Sequence, residues 1–143
     1  MTLKKIQNEI VEEFSFFEDW MERYEHLIEL GKELPEFDSS LKVSENLIRG
    51  CQSKVWIHAE MNDEKVMLQA HSDAILTKGM VALLLRVFNN RKPTEILNED
   101  LFFIDKVGLK EHLSPTRANG LLAMVKQIKL YAVAHQANQN STA

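Results

Sequence analysis

The sequence contains one cysteine, Cys51, and a lone thiol limits the chemistry that the chain can perform. It lies in the segment Arg49-Gly50-Cys51-Gln52-Ser53, directly before a predicted strand, so we expect it on a tight loop where Gly50 lets the backbone bend. Most free cysteines are buried structural residues. The polar neighbours here would make a poor core, however, and the cations Arg49 and Lys54 would favour the thiolate. These residues therefore predict a reactive thiol on a loop.

Three functions are compatible with that thiol. A cysteine-dependent hydrolase or acyl-transferase needs a base beside the nucleophile, and the chain has no recognisable Cys/His/Asn signature. Sulfur transfer needs only one cysteine and a partner, because a thiolate can attack the sulfane sulfur of a partner's persulfide much as it attacks a disulfide. A regulatory binding module would carry the thiol incidentally. For the hydrolase, the sequence does not choose a base among its five histidines, which are His26, His58, His71, His112 and His135.

Other polar residues each have two interpretations. His58 and His71 project from a predicted hairpin and, with Asp73, are candidates for a metal site, although solvated strand histidines are the ordinary case. Asp73 is also a good N-cap for a helix that begins near Ala74. Arg117 is either a solvated helix charge or a cation for a partner's carboxylate.

Composition and charge disfavour several function classes. With 17 Lys and Arg against 21 Asp and Glu the net charge is −4, whereas a nucleic-acid-binding domain needs a basic face. The longest apolar run, residues 80–85, is far too short to cross a bilayer, and the polar start lacks the apolar stretch of a signal peptide. We therefore expect a cytoplasmic protein with reduced thiols, and neither a membrane nor a nucleic acid as its partner.

Helical periods flank a central region of strands. Apolar residues from Leu3 to Ile28 recur at steps of three or four and predict one helix, which Gly31 and Pro35 bring to an end. A continuous and mostly apolar stretch predicts a buried helix over residues 75–88, in which Gly79 indicates close packing. Further helices are predicted to open at Pro93 and at Pro115, the latter with Ser114 as N-cap and extending to about residue 137.

Strand signals lie between these helices. Residues 54–60 and 65–71 are typical of two strands joined across residues 62–64, and residues 41–48 are a candidate third strand. The order of helix, strands and helices lacks βαβ alternation, so it predicts an α+β fold: a small antiparallel sheet of about three strands with helices packed on one side. We expect one domain over residues 1–137 and a disordered polar tail over residues 138–143.

Four separate motifs follow one another in a specific order. They are Arg23-Tyr24 with residues 27–35, the Gly-Cys-Gln-Ser segment in residues 50–56, Ser72-Asp73-Ala74 with Lys78-Gly79, and residues 112–121. Together they resemble the SufE family, the sulfur-acceptor proteins of iron–sulfur cluster assembly, nearly from end to end. Thr116 is a mild departure, since members commonly have serine there.

The resemblance implies that Cys51 accepts sulfur as a persulfide from a pyridoxal-phosphate-dependent cysteine desulfurase, stimulates that enzyme, and passes the sulfur to a scaffold complex. The cofactor then belongs to the desulfurase, and none is expected on this chain. The implied partners are a desulfurase of the SufS or CsdA type and a scaffold of the SufBCD type. The fold is implied to be shared with IscU-type scaffold proteins, although one thiol cannot hold a cluster as they do.

The resemblance also suggests which residues assist Cys51. It places Asp73 and Arg117 near the Cys51 loop, where they position it or contact the partner, with Gln52 and His112 as further candidates. Because reductants remove a persulfide easily, we expect the resting loop to hold Cys51 against an apolar surface and to swing outward on docking, with Gly50 as hinge. An acceptor of the CsdE type, which serves a cysteine sulfinate desulfinase, is the alternative within the family.

Overall fold

A two-stranded hairpin packs against helices in the computed structural model, which describes residues 1–51 and 53–141. The sequence-based prediction of an α+β fold is confirmed. Two short 3₁₀ turns, Ser39–Leu41 and Ser44–Asn46, precede the hairpin. In chain order the helices and strands are α1 (Leu3–Ser15), α2 (Trp20–Lys32), β1 (Val55–Asn62), β2 (Lys65–Ser72), α3 (Ile75–Phe88), α4 (Pro93–Asn98), α5 (Phe103–Val107), α6 (Leu109–His112) and α7 (Pro115–Ser141).

The hairpin has the predicted position and a tight turn. Its strands are antiparallel and in register from Val55 opposite Ser72 to Asn62 opposite Lys65. Between them, Asp63 and Glu64 have φ angles of 51° and 68°. Two consecutive positive φ angles are the signature of a type I′ turn, whose twist matches that of the flanking strands.

The predicted third strand is wrong over most of its length. Residues 41–48 contribute only an isolated bridge, in which Leu47 lies opposite Trp56 and the Ile48 N–H donates to the Val55 carbonyl at 2.8 Å. The 3₁₀ turns coil this segment before it reaches the sheet. The first of them is capped by Asp38, whose carboxylate accepts the Ser40 N–H at 3.0 Å, and such local bonds compete with strand pairing.

The single N-terminal helix that the apolar period predicts is two helices. Helix α1 ends at Ser15, and Asp19 caps the start of α2 by accepting the Glu22 N–H at 2.8 Å. An aspartate at the N-cap satisfies a backbone donor that an unbroken helix would not expose. Met21, which belongs to the predicted stripe, is 68% exposed after the break.

Helix α3 forms the centre of the core, with the bounds that the sequence predicts. It packs against α2, β2 and α1. Gly79 makes the expected close contact, because a Cβ at this position would overlap the backbone carbonyl of Leu27 in α2. The largest fully buried side chains are Phe14, Phe88, Phe103, Ile10, Leu27, Ile57, Met80, Leu83, Leu84, Ile96, Leu109 and Leu121.

Helix α7 begins as predicted and reaches the sheet. The Ser114 hydroxyl accepts the Arg117 N–H at 3.3 Å, and Pro115 takes the first helical position. Further along, the Tyr131 hydroxyl donates to the Ile57 carbonyl of β1 at 3.0 Å. The helix extends to Ser141. Residues 142 and 143 lie outside the described part of the chain. The disorder expected for residues 138–143 stays a prediction.

Gln7 is a buried polar residue that ties α1 to the segment before α5. Its amide nitrogen donates to the Glu99 carboxylate at 2.7 Å and to the Asp100 carbonyl at 3.1 Å. Its oxygen accepts the N–H groups of Phe102 and Phe103 at 2.9 and 3.2 Å. One side chain therefore satisfies four polar partners.

The Gln7→Leu variant is expected to lower the free energy of unfolding by about 2 kcal/mol, because it leaves a buried backbone N–H without an acceptor. Urea unfolding followed by circular dichroism measures this. The matched control is Gln136→Leu near the end of α7, which should change stability by less than about 0.5 kcal/mol. Equal midpoints for the two variants would contradict the role of Gln7.

Candidate functional site

Cys51 lies half-buried at the end of the loop that leads into β1. Its thiol donates weakly to the Gly120 carbonyl of α7, with Sγ 3.5 Å from the oxygen. A Cβ at Gly120 would lie 3.4 Å from that Sγ, an ordinary van der Waals distance, so the thiol lies directly against this turn of the helix. Gly50 has a φ of +92°, a conformation that glycine adopts without strain, and this turns the chain toward α7.

A narrow cleft between α3 and α7 contains the thiol. The centre of a water-sized molecule can occupy about 10 Å³ inside it, which is about the room that one water needs. Its lining includes two methionines, which are apolar, and three residues with hydroxyl groups. The cleft is lined by Cys51, Ser53, Thr77, Met80, Thr116, Arg117, Gly120 and Met124.

Burial raises the pKa of the Cys51 thiol. The expectation that Arg49 and Lys54 favour the thiolate is therefore wrong. Both cations are exposed to solvent, although they are close to Cys51 in the chain. Desolvation disfavours the charged form of a thiol and outweighs them. At rest, Cys51 is a protonated thiol near neutral pH.

Alkylation of Cys51 by iodoacetamide is expected to be several times slower in the folded chain than in urea, and its rate should increase at higher pH. The reagent reacts with the thiolate, whose fraction falls when the pKa is raised. The raised pKa also links stability to pH. The protonated thiol in the folded state contributes to stability at low pH, and this contribution is lost as the pH rises through the folded-state pKa. Rates by mass spectrometry at several pH values measure this, and equal profiles with and without urea would contradict it.

Arg117 and Asp73 both lie beside the Cys51 segment. Arg117 is exposed and lines the cleft from the first turn of α7. The Asp73 N–H donates to the Lys54 carbonyl at 3.4 Å, so Asp73 stands where the loop enters the sheet. The sequence suggested that Asp73 caps α3, and this prediction is wrong. Instead the Ser72 hydroxyl accepts the Ala74 N–H at 3.2 Å and donates to the Lys54 carbonyl at 2.9 Å.

The other two candidates differ in outcome. Gln52 lies outside the described residues. His112 stacks on Trp20 with ring centroids 4.0 Å apart, and its carbonyl accepts the Tyr24 hydroxyl at 2.7 Å. It is not among the described residues that line the cleft. The structure therefore places His112 in the contact between α6 and α2.

The described lining of the cleft includes no histidine, so no base for a hydrolase stands beside the thiol there. The residues proposed for a metal site also have other surroundings. His71 stacks between Phe37 and Trp56, each 6.0 Å away between ring centroids. Burial, then the charges of Lys42 and Lys78, lower its pKa. Across residues 1–51 and 53–141, no three His, Cys, Asp or Glu side chains group closely enough to hold a metal.

Sequence reasoning missed the residues that surround the thiol from the two helices. Thr116, Gly120 and Met124 recur every four residues on one face of α7, and Thr77 and Met80 are three apart on α3. These spacings could have grouped each set. Nothing in the spacing indicates that both faces meet at Cys51.

Residues 8–132 match the family described as SufE: Fe-S metabolism associated domain. The chain belongs to the SufE family. Among its relatives, an uncharacterised SufE-like protein of Rhizobium meliloti is 41% identical over 127 residues, which cover 85% of this chain and 91% of the relative. One from Synechocystis is 42% identical over 131 residues, covering 92% of this chain and 82% of the relative. The family assigns the SufE chain a role in iron–sulfur metabolism and sulfur transfer, with a cysteine desulfurase as partner.

The fold is also found in a solved structure. The solution structure of a hypothetical protein from Thermus thermophilus aligns with a TM-score of 0.76, covering 92% of this SufE chain and 96% of the other. The two are 22% identical, so this likeness concerns the fold alone. No helix among the described residues is both long and apolar enough to span a membrane.

Proposed function

We propose that this protein accepts sulfur from a cysteine desulfurase as a persulfide on Cys51 and delivers it for iron–sulfur cluster assembly. The observation that carries the proposal is the environment of the thiol. Cys51 is the chain's only cysteine, and it rests on α7 in a cleft whose described lining offers no base. Acyl transfer would need such a base, whereas acceptance of a sulfane sulfur needs the thiol and a partner's persulfide.

The proposed step balances without an added oxidant or reductant. The sulfur of Cys51 attacks the outer sulfur of the persulfide on the desulfurase. A new sulfur–sulfur bond forms on Cys51 as the one in the partner's persulfide breaks. The partner's cysteine leaves as a thiolate and takes up the proton that Cys51 loses. The sulfane sulfur has then changed carrier, with no net change in oxidation state.

Loop movement supplies the activation that the resting site lacks. The raised pKa at rest has burial as its cause, so moving Cys51 out of the cleft removes the effect. Gly50, already at a positive φ, is the hinge of that movement. When the loop returns, the cleft has room for one water-sized group, which suits a single additional sulfur shielded from reductants.

The partners of the proposed cycle are a desulfurase of the SufS or CsdA type, which brings its own pyridoxal phosphate, and a scaffold of the SufBCD type. Asp73 and Arg117 flank the loop and would contact the desulfurase. The chain itself needs no cofactor. Because the persulfide requires a reduced thiol, the proposed compartment is the cytoplasm. Service to a cysteine sulfinate desulfinase remains the alternative pairing.

The test is the intact mass of the chain after incubation with cysteine and a desulfurase. Parallel reactions contain a SufS-type or a CsdA-type enzyme, and each is repeated without cysteine. The expected result is a gain of one or more sulfur atoms that reductant removes. The faster enzyme identifies the preferred partner type. No gain with either enzyme would contradict the proposal and leave the family membership to describe the fold.

A further inference from the structure

A second cavity, larger than the Cys51 cleft, lies along the free edge of β2. It is a groove of about 380 Å³ between α3 and the segment that follows α2, with Leu68 and Ala70 of β2 at its base. Its walls are mostly apolar, from Leu34 and Phe37 on one side and Leu85 on the other. Among the described residues, the groove and the cleft share no lining residue.

Part of the β2 edge is already covered by backbone and an amide side chain. The register directs the N–H and C=O groups of Val66, Leu68 and Ala70 away from β1. The Val66 N–H donates to the Arg91 carbonyl at 2.7 Å, and its carbonyl accepts from Asn90 at 2.9 Å. The Leu68 N–H donates to the Asn89 side chain at 2.7 Å. Residues 89–91 thus replace a neighbouring strand as far as the Leu68 N–H.

Beyond that point the edge has no partner. The Leu68 carbonyl and both backbone groups of Ala70 make no hydrogen bond to any residue that the structure describes. Ala70 is nevertheless only 4% exposed. Backbone groups in such surroundings are almost always paired, and an unpaired edge is a template for a further strand. The groove therefore opens where the strand lacks an acceptor for one N–H and donors for two carbonyls.

The charge at the rim indicates the sign of the missing partner. Glu33 and Glu36 line the groove, are exposed, and form no ion pair with a described residue. Arg86 on the opposite wall is held by Glu13, with 3.1 Å between Nη1 and Oε2. The rim is thus acidic, and an extended segment with a basic side chain complements it.

We propose that the β2 edge binds an extended segment of a partner protein as an added strand. The segment pairs with Leu68 and Ala70, places an aliphatic side chain in the groove, and sets a Lys or Arg beside Glu33 and Glu36. The Cys51 loop instead joins the sheet at β1, so the segment and a sulfur donor can be bound together. The inference does not rest on sulfur transfer by Cys51.

The probe is the capped peptide acetyl-Lys-Val-Val-Val-Lys-amide, titrated into ¹⁵N-labelled protein. The expected result is a downfield shift of the Ala70 amide proton and slower hydrogen exchange there. A peptide N-methylated at all three valines keeps the side chains but loses the three central N–H donors, and it should bind at least about tenfold more weakly. A peptide with Glu at both ends should also bind more weakly.

Two variants test the site from the protein side, and each has a matched control. Ala82→Trp fills the groove from α3, and its control is Ala134→Trp at an exposed position of α7. Glu36→Lys reverses one charge at the rim, and its control is Glu9→Lys at an exposed position of α1. The groove variants should weaken binding of the basic peptide, and the controls should not.

Three outcomes would overturn the proposal. They are no shift between Leu68 and Ser72 with millimolar peptide, equal binding of the N-methylated peptide, and unchanged binding to Glu36→Lys. If the same amides instead shift as the protein is concentrated alone, and sedimentation shows a dimer, a second copy occupies the edge and the partner-segment proposal is wrong.

Discussion

The Cys51→Ser variant is expected to gain no sulfur from a desulfurase and to leave that enzyme at the turnover it shows alone. Serine keeps the size of the side chain but cannot form a persulfide, so the loss should be complete. Intact mass measures the loading, and sulfide release measures the turnover. This is the largest functional effect that the proposed role predicts.

The fold should survive this substitution. The thiol's only polar contact to a described residue is the weak one to Gly120, 3.5 Å long, and the loop carries little of the core. The free energy of unfolding, measured by thermal denaturation, is therefore expected to change by about 1 kcal/mol or less. The double variant Cys51→Ser with Ser15→Cys moves the thiol to the exposed end of α1 and should restore neither loading nor turnover.

Two results would contradict the role of Cys51 and mean different things. If Cys51→Ser still stimulates the desulfurase, the thiol is incidental and the chain acts as a regulatory binding module. If the double variant is loaded as fast as the unchanged chain, any exposed thiol serves, and neither the loop nor the cleft contributes to transfer.

The parts of the fold that the sequence predicts well are those with local signals. Residues 75–88 are mostly apolar and become α3 with the predicted bounds. Ser114-Pro115 starts α7 because both residues act on the backbone next to them. The hairpin is likewise specified by two strands with a short turn between them. Each of these signals needs no knowledge of the remaining chain.

The misassigned elements depend on contacts that a period does not carry. The apolar steps run through the break between α1 and α2, although Asp19 ends one helix and starts the other. Met21 continues the period but faces solvent. Residues 41–48 have apolar content suited to a strand, but local capping at Asp38 coils the chain instead. Period and propensity are weak where a cap decides the backbone path.

The chemistry of the thiol shows the same limit at the site. Arg49 and Lys54 are its neighbours in sequence, but both side chains reach solvent. Burial raises the pKa, and the cleft that holds the thiol is lined from α3 and α7 by residues such as Met80 and Met124, which are far from Cys51 in the sequence. The family motifs locate Cys51, whereas its burial follows only from how the helices pack.

The Gly79→Ala variant is expected to lower the free energy of unfolding by about 3 kcal/mol, which corresponds to a melting temperature about 6–12 °C lower. A Cβ at Gly79 would lie 2.6 Å from the carbonyl carbon of Leu27 and closer still to the oxygen. Gly31 faces the same crossing, and a Cβ at that position would lie 2.8 Å from the Gly79 nitrogen. Both sides of the contact are backbone, so no side chain can rotate away.

Gly120→Ala is the matched control, since it makes the same change inside a helix. Its Cβ would meet the Cys51 Sγ at 3.4 Å, an ordinary contact, and alanine favours a helix by up to about 1 kcal/mol over glycine. Its melting temperature should stay the same or rise. Gly79→Ala should also speed alkylation of Cys51, because α3 carries Thr77 and Met80 and its displacement widens the cleft. A Gly79→Ala melt equal to that of the control would contradict the close crossing of α2 and α3.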